Sequence, residues 1–580
     1  MSSAVKAAWL LGAAAVALAQ LPPSAAAHPV RTSVAQATTL NVATTSDAPH
    51  AAPLDGSCTS TLAGGTCTLR AAIQAANFLG DGPHTINLGT PGTYALTVVG
   101  ANEDDAATGD LDVNGTSVVI LNATNAPVVI DGNLTDRVFS VGRRAPAQLT
   151  MVGIRIQNGS VPGASIPPNS GGGLDVAAGS TATLNNMIFT GNRSAFAGGG
   201  IRNEGTVVLA NSIVTGNSAV IADGGFGNNE QATVRLTNVV ISANVANING
   251  GFANRGIGVL TNVLIAGNLA FGLAGAMANA NGATLTMTNV TISNNTSFFL
   301  IGGFGNLGNA TLTNVTISGN SAMGDLGGMG NLGTATLTNV TIADNSGPGG
   351  TGGLATGPEA REILQPLAPI LAISGVVIPE PGPTMVRRTI VADNAPGAQC
   401  SGPITSQGSN LEFAGHTCGF KPDLGDLVNV EPRLGPLSAG GGFVPTHALL
   451  PGSPAIDAAK SGCPPPSTDA RGVPRPQGKG CDIGAYERSG KKLTARVGSV
   501  SVVPGEIIVT LQVSRATSAT LTLTQAGRRV TTARTAVQPG FNALHLPLPG
   551  RMRPGTYGLS IALVDRGHVV RVFTRSVRLR

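Results

Sequence analysis

Acidic side chains that could carry out catalysis are sparse in the middle of this 580-residue chain. A glycoside hydrolase needs two facing carboxylates, and a lyase needs an acidic metal site together with a basic residue. The carboxylates between residues 184 and 345 are Glu204, Asp223, Glu230, Asp325 and Asp344. None of them recurs at a spacing that forms an obvious pair, so we assign no catalytic residue. A carbohydrate-active enzyme with its site on an irregular loop is the alternative.

A denser acidic cluster lies nearer the N-terminus, at Glu103, Asp104, Asp105, Asp110 and Asp112. Loops that are rich in carboxylate oxygens can hold calcium. A solvated capping turn explains the same residues without a metal, and we favour it. Calcium at the four aspartates is the one cofactor hypothesis that the sequence offers.

Two arginines near residue 480 have acidic neighbours. Arg471 and Arg475 lie close in sequence to Asp482 and Glu487. Arginine binds carboxylates with two parallel hydrogen bonds. We expect these residues to lock a cap and not to form an active site.

The six cysteines form three close pairs in the sequence. Six cysteines allow 15 connectivities, and the sequence alone does not choose among them. Nearest-neighbour pairing is the simplest hypothesis in an oxidising compartment. Zinc is disfavoured because no pair is CxxC and no histidine stands at ligand spacing. The pairs are Cys58 with Cys67, Cys400 with Cys418, and Cys463 with Cys481.

The N-terminus has the pattern of a secretory signal. Lys6 precedes an apolar run over residues 7–19, and three alanines at 25–27 offer a cleavage site. The run is shorter than the roughly 20 residues that a spanning helix needs. We expect a signal peptide at 1–27, a linker at 28–57, and a secreted or cell-surface protein whose mature chain has no transmembrane anchor.

Repeats of about 25 residues organise the middle of the chain. The segment ATLTNVTISGN at 310–320 recurs almost unchanged at 335–345. A fixed period of this length is the signature of a solenoid. The units are rich in β-formers and glycine pairs, and they are too short for propeller blades. They lack the spaced leucines of leucine-rich repeats. The repeat therefore predicts a right-handed parallel β-helix.

Columns of asparagine run in step with the repeat. One column ends each unit, from Asn192 to Asn345, and a second follows the glycine pairs. Asparagine tolerates left-handed backbone at a corner, and its amide can bond the asparagine of the next coil. We predict structural ladders at Asn203, Asn228, Asn254, Asn279, Asn306, Asn331, Asn314 and Asn339.

Composition and the ends of the repeat complete the predicted all-β architecture. Gly accounts for 80 residues, whereas charged residues make up 11% and aromatic residues 3% of the chain. Residues 68–77 are predicted as a short capping helix over the first coil. An irregular insertion is expected at 347–383. We place the β-helix and its caps at 58–487 and a linker at 488–492.

The C-terminal region differs from the rest in charge. Residues 488–580 hold 15 Lys and Arg against two Asp and Glu, whereas the preceding residues carry a net charge of −8. Alternating apolar runs predict a small antiparallel, immunoglobulin-like β-sandwich at 493–580. Its arginines could bind anionic envelope polymers or form a solvated surface. Nucleic acid is disfavoured because no aromatic platform accompanies the charge.

Three motifs resemble a known family. The segment CTLRAAI at 67–73 resembles the CSLREA motif of secreted bacterial β-helix proteins, and GDLDV at 109–113 resembles the acidic turn that follows it. The segments SPAIDA at 453–458, DARG at 469–472 and CDIGAYE at 481–487 resemble the closing region of choice-of-anchor Q proteins. The chain departs at Ala71, where the family has Glu. The resemblance implies an exported, surface-associated protein and supplies no catalytic residue.

These observations predict an exported, non-catalytic scaffold for adhesion. The expected partners are anionic envelope polymers or extracellular glycans. A polysaccharide lyase or glycoside hydrolase of the β-helix type is the competing function.

Overall fold

The computed structural model shows a parallel β-helix followed by a β-sandwich. It describes residues 37–579, with gaps at 53, 102, 125, 163–169, 366–377, 460–461, 489–494, 504, 515–516, 550–551, 553 and 566–567. The predicted signal peptide and most of the predicted 488–492 linker lie outside the described residues.

Three parallel sheets form the walls of the β-helix. The fold is the right-handed parallel β-helix that the repeat predicts, with the hand that is usual for crossovers between parallel strands of one sheet. The 22-stranded sheet, called the large sheet below, consists of Thr39–Val42, His84–Leu88, Gly92–Ala95, Ser117–Asn122, Val128–Asp131, Gln148–Val152, Ile154–Gln157, Thr181–Asn185, Ile188–Thr190, Thr206–Thr215, Thr233–Ser242, Ile257–Ala266, Thr284–Ser293, Asn309–Thr313, Thr316–Ser318, Thr334–Thr338, Thr341–Ala343, Thr384–Arg387, Ile390–Ala392, Thr405–Ser406, Leu411–Phe413 and Leu427–Val428.

The other two walls are built from shorter strands. The seven-stranded sheet consists of Ser160–Val161, Arg193–Ser194, Ser218–Ala219, Val245–Ala246, Leu269–Ala270, Thr296–Ser297 and Ser321–Ala322. The eleven-stranded sheet consists of Leu111–Val113, Phe139–Val141, Leu174–Val176, Ile201–Asn203, Phe226–Asn228, Phe252–Asn254, Met277–Asn279, Phe304–Asn306, Met329–Asn331, Thr351–Thr356 and Ala398–Ser401.

Alternating side chains explain how each coil packs. In Thr284–Ser293 the side chains of Leu285 and Met287 are buried, whereas Thr284 is exposed and Thr286 is half-buried. The strand pairs in register with the next coil, so that Leu285 faces Ala310 and Met287 faces Leu312. Buried aliphatic side chains thus stack along the axis and form one continuous core.

A helix covers the N-terminal end, as predicted. Leu69–Leu79 is α-helical, and the Thr68 hydroxyl accepts a hydrogen bond from the Ala71 N–H. Arg70 is fully buried and its Nε lies 2.8 Å from Asp47 Oδ1. The Cys58–Cys67 disulfide closes the loop before the helix.

The predicted start of the β-helix at residue 58 is wrong. Thr39–Val42 lies in the span predicted as a linker, yet it pairs in parallel with His84–Leu88. Leu40 and Val42 are buried in the common core. The strand has only four residues and precedes the repeats, so its alternation gave too short a pattern to recognise.

The predicted insertion at 347–383 is only partly irregular. Thr351–Thr356 continues the eleven-stranded sheet, and Gly357–Leu364 forms a helix in contact with it. The insertion lengthens one coil, because the asparagines on either side of it, Asn345 and Asn394, still bond to each other.

The region from Leu434 to Glu487, called the closing segment below, lies lengthwise along the flank of the β-helix. Its two antiparallel strands are Leu434–Ser438 and Thr446–Leu449, and a 3₁₀ turn at Pro422–Leu424 precedes it. Pro445 accepts a hydrogen bond from Thr291, and the Ala485 N–H donates to Thr341. These contacts span successive coils, which corrects the expectation of a cap at the end alone.

The C-terminal region forms a sandwich of two antiparallel sheets around a common core. The three-stranded sheet is ordered Ala495–Val503, Glu506–Val513, Gly540–Pro547. The four-stranded sheet is ordered Arg528–Val537, Thr517–Gln525, Gly555–Asp565, His568–Leu579. The strand number agrees with the prediction, and an immunoglobulin relationship stays a prediction.

The disulfides and helices bear on two further expectations. All three disulfides join nearest neighbours, with Cα–Cα distances of 5.0, 4.8 and 6.2 Å. Within the described part of the chain, no helix has the length and apolarity needed to cross a membrane.

Candidate functional site

A buried charged network lies on the outer side of the eleven-stranded sheet. The central residue of each three-residue strand points away from the core, which aligns Asp112, Ser140, Asp175 and Arg202 on successive coils. Arg202 Nη1 lies 3.1 Å from Asp175 Oδ1. The register of the strands on neighbouring coils therefore places the Arg202 guanidinium next to the Asp175 carboxylate.

Two further arginines complete this network. Arg137 Nε lies 2.8 Å from Asp110 Oδ2, and its Nη1 lies 3.2 Å from Asp175 Oδ2. Arg143 also pairs with Asp175. Asp175 thus bonds arginines from three different strands or loops, and its side chain is fully buried. The network holds adjacent coils together.

Burial changes the acidity of the carboxyls at the front of the network. Burial raises the pKa of Asp112 to about 7, and the carboxylates of Glu103 and Asp104 add to the increase. Burial is also the main cause that raises the pKa of Asp110, and repulsion from the Asp112 carboxylate is the second cause. Asp112 still accepts a hydrogen bond from the Ala106 N–H at 3.0 Å. A carboxyl that titrates near neutrality can act as a general acid or base only where a substrate reaches it.

The four aspartates predicted as calcium ligands do not form one site. Asp110 pairs with Arg137, Asp105 pairs with Arg144, and Asp112 accepts from the backbone. Across the described ranges, no three His, Cys, Asp or Glu side chains form a group that could hold a metal ion. Several of these carboxylates lie close enough to raise one another's pKa, but Asp105, Asp110 and Asp112 are each held by an arginine or a backbone N–H.

The five carboxylates of the repeat region are dispersed. Glu204 pairs with Arg202, and Asp223 is held by Arg255 Nη1 at 2.6 Å. Asp344 lies 3.7 Å from His447 Nε2 of the closing segment. Glu230 is exposed, and the Asp325 backbone carbonyl accepts from Thr351. The carboxylates of Glu204, Asp223 and Asp344 thus have separate partners and do not converge on one site.

The second asparagine column is a continuous chain of side-chain amides. Each Nδ2 donates to the Oδ1 of the next coil, with distances between 2.6 and 2.8 Å. The last amide donates to Thr384 Oγ1 at 2.7 Å. The members are Asn203, Asn228, Asn254, Asn279, Asn306 and Asn331, and all are buried.

Asn314 and Asn339 belong to a different column. Both have left-handed backbone, with φ of 55°. Asn314 Nδ2 donates to Asn289 Oδ1 at 3.1 Å and to the Thr468 carbonyl at 2.9 Å. Asn339 Oδ1 instead accepts from Arg388 Nε at 2.6 Å, because arginine occupies the equivalent corner of the next coil. One predicted ladder is therefore two columns.

The terminal asparagines of the repeats form a third and longer ladder. It runs from Asn192 to Asn394, and Asn394 Nδ2 donates to Gln399 Oε1 at 2.8 Å. Each rung also accepts a backbone N–H of the preceding asparagine, as in Asn244 to Asn268 at 3.0 Å. These buried amides are satisfied on both sides and do not offer a binding surface.

The four predicted cap residues lie in the closing segment. Arg475 Nη1 lies 2.9 Å from Glu487 Oε2, and both side chains are fully buried. Arg471 forms an ion pair with Asp469. Its contact with Glu487 is a hydrogen bond to the backbone carbonyl and not to the carboxylate. Burial raises the pKa of Asp482 to about 7, and repulsion from Glu487 adds to it. Asp469 is a partner that sequence reasoning did not assign.

An open groove of about 400 Å³ follows the seven-stranded sheet. Ser218, Ala219 and Val245 contribute to its lining, together with the exposed side chains of Val220 and Phe271. Among the described residues of the lining, Arg193 is the one that carries a charge. Phe271 stacks on Phe298 at 5.2 Å between ring centroids, and both rings are partly exposed.

Sequence reasoning missed the groove and the charged network. The groove is lined by strands of only two residues, whose side-chain alternation is too brief to detect. The signal that could have revealed the network is the pairing of strands one coil apart, because this pairing aligns Asp175 with Arg202.

The comparisons with known proteins give a distant match. No family model matches the chain, and no curated protein matches it. A solved structure of pectate lyase Pel9A is similar, with 14% sequence identity and a TM-score of 0.40. The match covers 78% of this chain and 96% of the lyase chain.

Proposed function

We propose that this protein is an exported, non-catalytic β-helix scaffold for adhesion that binds extracellular glycans. The observation that carries the proposal is the open groove on the seven-stranded sheet, where Arg193 is the single charged lining residue. Apolar walls with a few polar groups are typical of ligand sites. A neutral glycan fits this lining better than an acidic one, since one arginine offers little charge.

The buried charges argue against a catalytic role. Asp112 and Asp175 are fully buried, and each arginine of the network already faces a carboxylate. A substrate would have to displace these ion pairs, which is costly for buried charges. We therefore assign the network to stability.

The basic sandwich supplies the second part of the proposal. With the preceding linker it carries a net charge of +13 over residues 488–580, which would retain the protein on anionic envelope polymers outside the cell. The three disulfides support an extracellular location, because such bonds persist in oxidising compartments. The resemblance of the CTLRAAI and CDIGAYE segments to surface-associated proteins agrees with this proposal.

Binding to neutral glycans tests the groove. The full chain should bind a neutral polysaccharide on an affinity gel, and Phe271→Ala should weaken the binding because it removes an exposed ring from the groove wall. Phe541→Ala, which removes an 80% exposed ring from the sandwich, is the matched control. Equal retardation of both variants and the wild type would refute the groove as the binding site.

An enzymatic function with its site on an exposed loop is the alternative to the scaffold. A screen against acidic and neutral polysaccharides would detect it as reducing ends or unsaturated sugars. Either product released by the purified chain would replace the non-catalytic scaffold proposal.

A further inference from the structure

The outer face of the four-stranded sheet in the sandwich has a distinct composition. Along Thr517–Gln525 the side chains of Ala519, Leu521 and Leu523 are buried in the sandwich core. The alternate residues therefore point outward. They are threonines, at positions 520, 522 and 524.

Neighbouring strands continue this hydroxyl-rich face. Thr522 lies between Thr532 and Ser560, and Ser560 lies opposite Thr574. The hydroxyls of Thr522 and Thr532 are 3.2 Å apart. The side chains of this row are short and uncharged, so a polymer can lie across the row without meeting a bulky side chain.

Three exposed arginines frame the same face. Arg534 lies opposite Thr520, and Arg529 lies opposite Thr524, so the two arginines are about 13 Å apart along one edge strand. Arg578 lies opposite Thr556 on the other edge strand, about 14 Å across the sheet. Among the described residues, none of the three forms an ion pair with an acidic side chain.

Acidic side chains are nearly absent from this domain. Residues 488–580 contain only Glu506 and Asp565. Glu506 belongs to the three-stranded sheet and lies 2.9 Å from His545 Nδ1. Asp565 is the last residue of Gly555–Asp565 and pairs with His568, beyond the rows that hold the three arginines. The positive charge of the hydroxyl-rich face is therefore left for a ligand to neutralise.

We infer that this face, framed by Arg529, Arg534 and Arg578, binds a linear anionic polymer. Guanidinium groups bind carboxylate oxygens with paired hydrogen bonds. The hydroxyls of Thr524 and Thr532 donate to backbone carbonyls, so their oxygens are left to accept hydrogen bonds from the hydroxyl groups of a polysaccharide. The inference rests on the proposed retention of the protein by its basic domain, and it assigns the surface and the ligand chemistry. The ligand is an acidic polysaccharide, whose carboxylates pair with the arginines and whose hydroxyl groups donate to the threonine oxygens.

Polygalacturonate and its fully methyl-esterified form are the probes for the carboxylate case. They share one backbone and differ in charge. The full chain should bind only the charged form, and Arg529→Gln/Arg534→Gln/Arg578→Gln should weaken that binding about tenfold, which equals 1.4 kcal/mol. Inorganic polyphosphate, which has no sugar hydroxyls, is titrated in parallel, and tighter binding of polyphosphate would overturn the acidic polysaccharide as the ligand.

Matched controls separate the face from net charge. Arg155→Gln/Arg235→Gln/Lys421→Gln removes three exposed charges from the β-helix and should leave binding unchanged. Thr522→Glu should weaken binding, whereas Gln512→Glu on the other sheet should not. Thermal unfolding of each variant confirms that it is folded.

The possible outcomes each decide the proposal. Equal losses from the two triple variants would show that net charge alone is responsible and would overturn the proposed face. Equal binding of both pectic probes would overturn the charged ligand. A Phe271→Ala variant that loses neutral glycan but retains polygalacturonate would support the inference, because the two ligands would then occupy separate surfaces.

Discussion

The acidity of Asp112 links one residue to the stability of the N-terminal coils. Burial raises its folded-state pKa to about 7, above the ordinary value of 3.8. The folded state therefore binds the proton more tightly than the unfolded state. The contribution to stability is fully present below pH 4 and is lost as pH rises through 7.

The first prediction is that Asp112→Asn flattens this pH dependence. Asparagine can still accept the hydrogen bond from the Ala106 N–H, and it has no charge to bury. The variant should be more stable than the wild type at pH 8, by an amount on the order of 1 kcal/mol or more. At pH 4 the two should unfold alike in denaturant titrations. A constant difference between the two pH values would disprove the assignment.

The second prediction concerns the corner at Asn314. Asn314→Ala removes two hydrogen bonds and places a Cβ in left-handed backbone, so we expect destabilisation of about 1–3 kcal/mol. Asn314→Gly removes the same bonds but adopts positive φ freely. Thermal unfolding should therefore rank wild type above Gly and Gly above Ala. Melting temperatures that do not change would show that this corner contributes no stability.

At the scale of elements, the repeat predicted most of the β-helix. A 25-residue period with β-formers and glycine pairs leaves room for short strands and no helix, so the three walls follow from local sequence. The short strand at Thr39–Val42 was missed because its four residues show only two alternations of exposed and buried side chains, which is too short a pattern to recognise. The path of the closing segment was also missed. Its contacts with Thr291 and Thr341 join residues about 150 positions apart, and no local pattern encodes them.

The candidate site was less predictable than the fold for the same reason. Asp175 and Arg202 meet because their strands pair one coil apart, and this register is visible in the repeat only after the strands are placed. Arg471 was assigned to Asp482 and Glu487 from sequence proximity. Its carboxylate partner is Asp469, two positions away, because the turn brings the two side chains together.

The third prediction tests the attachment of the closing segment. Val444 is fully buried and packs in a cluster with Ala470, Ala485 and Leu264 of the large sheet. Val444→Asp would bury a charge with no partner, which favours release of the segment. Limited proteolysis should then cut within residues 434–487 faster, while circular dichroism of the β-helix stays unchanged. The adjacent Phe443→Asp is the control, since that side chain is already 47% exposed. Equal cleavage of all three proteins would show that the contact does not hold the segment.

At the scale of the whole molecule, charge and neutral surface are separated along the chain. Residues 488–580 carry a net charge of +13, whereas the preceding 487 residues carry −8. The groove on the seven-stranded sheet contains one charged lining residue. The proposed function therefore assigns two kinds of ligand to separate parts of one chain.

The last prediction is that these two binding activities respond differently to salt. Exposed charges are screened over about 8 Å at physiological ionic strength, so retention on an anionic polymer should fall steeply as salt rises. Binding of a neutral glycan in the groove depends on apolar contacts and hydrogen bonds, so it should change little over the same series. A chain that ends at residue 487 should lose the first activity and keep the second, since all three disulfides and the closing segment lie within it. Pull-downs of the full and shortened chains from both polymers measure this directly. If the shortened chain retains salt-sensitive binding to the anionic polymer, the basic sandwich is not the element that holds the protein there.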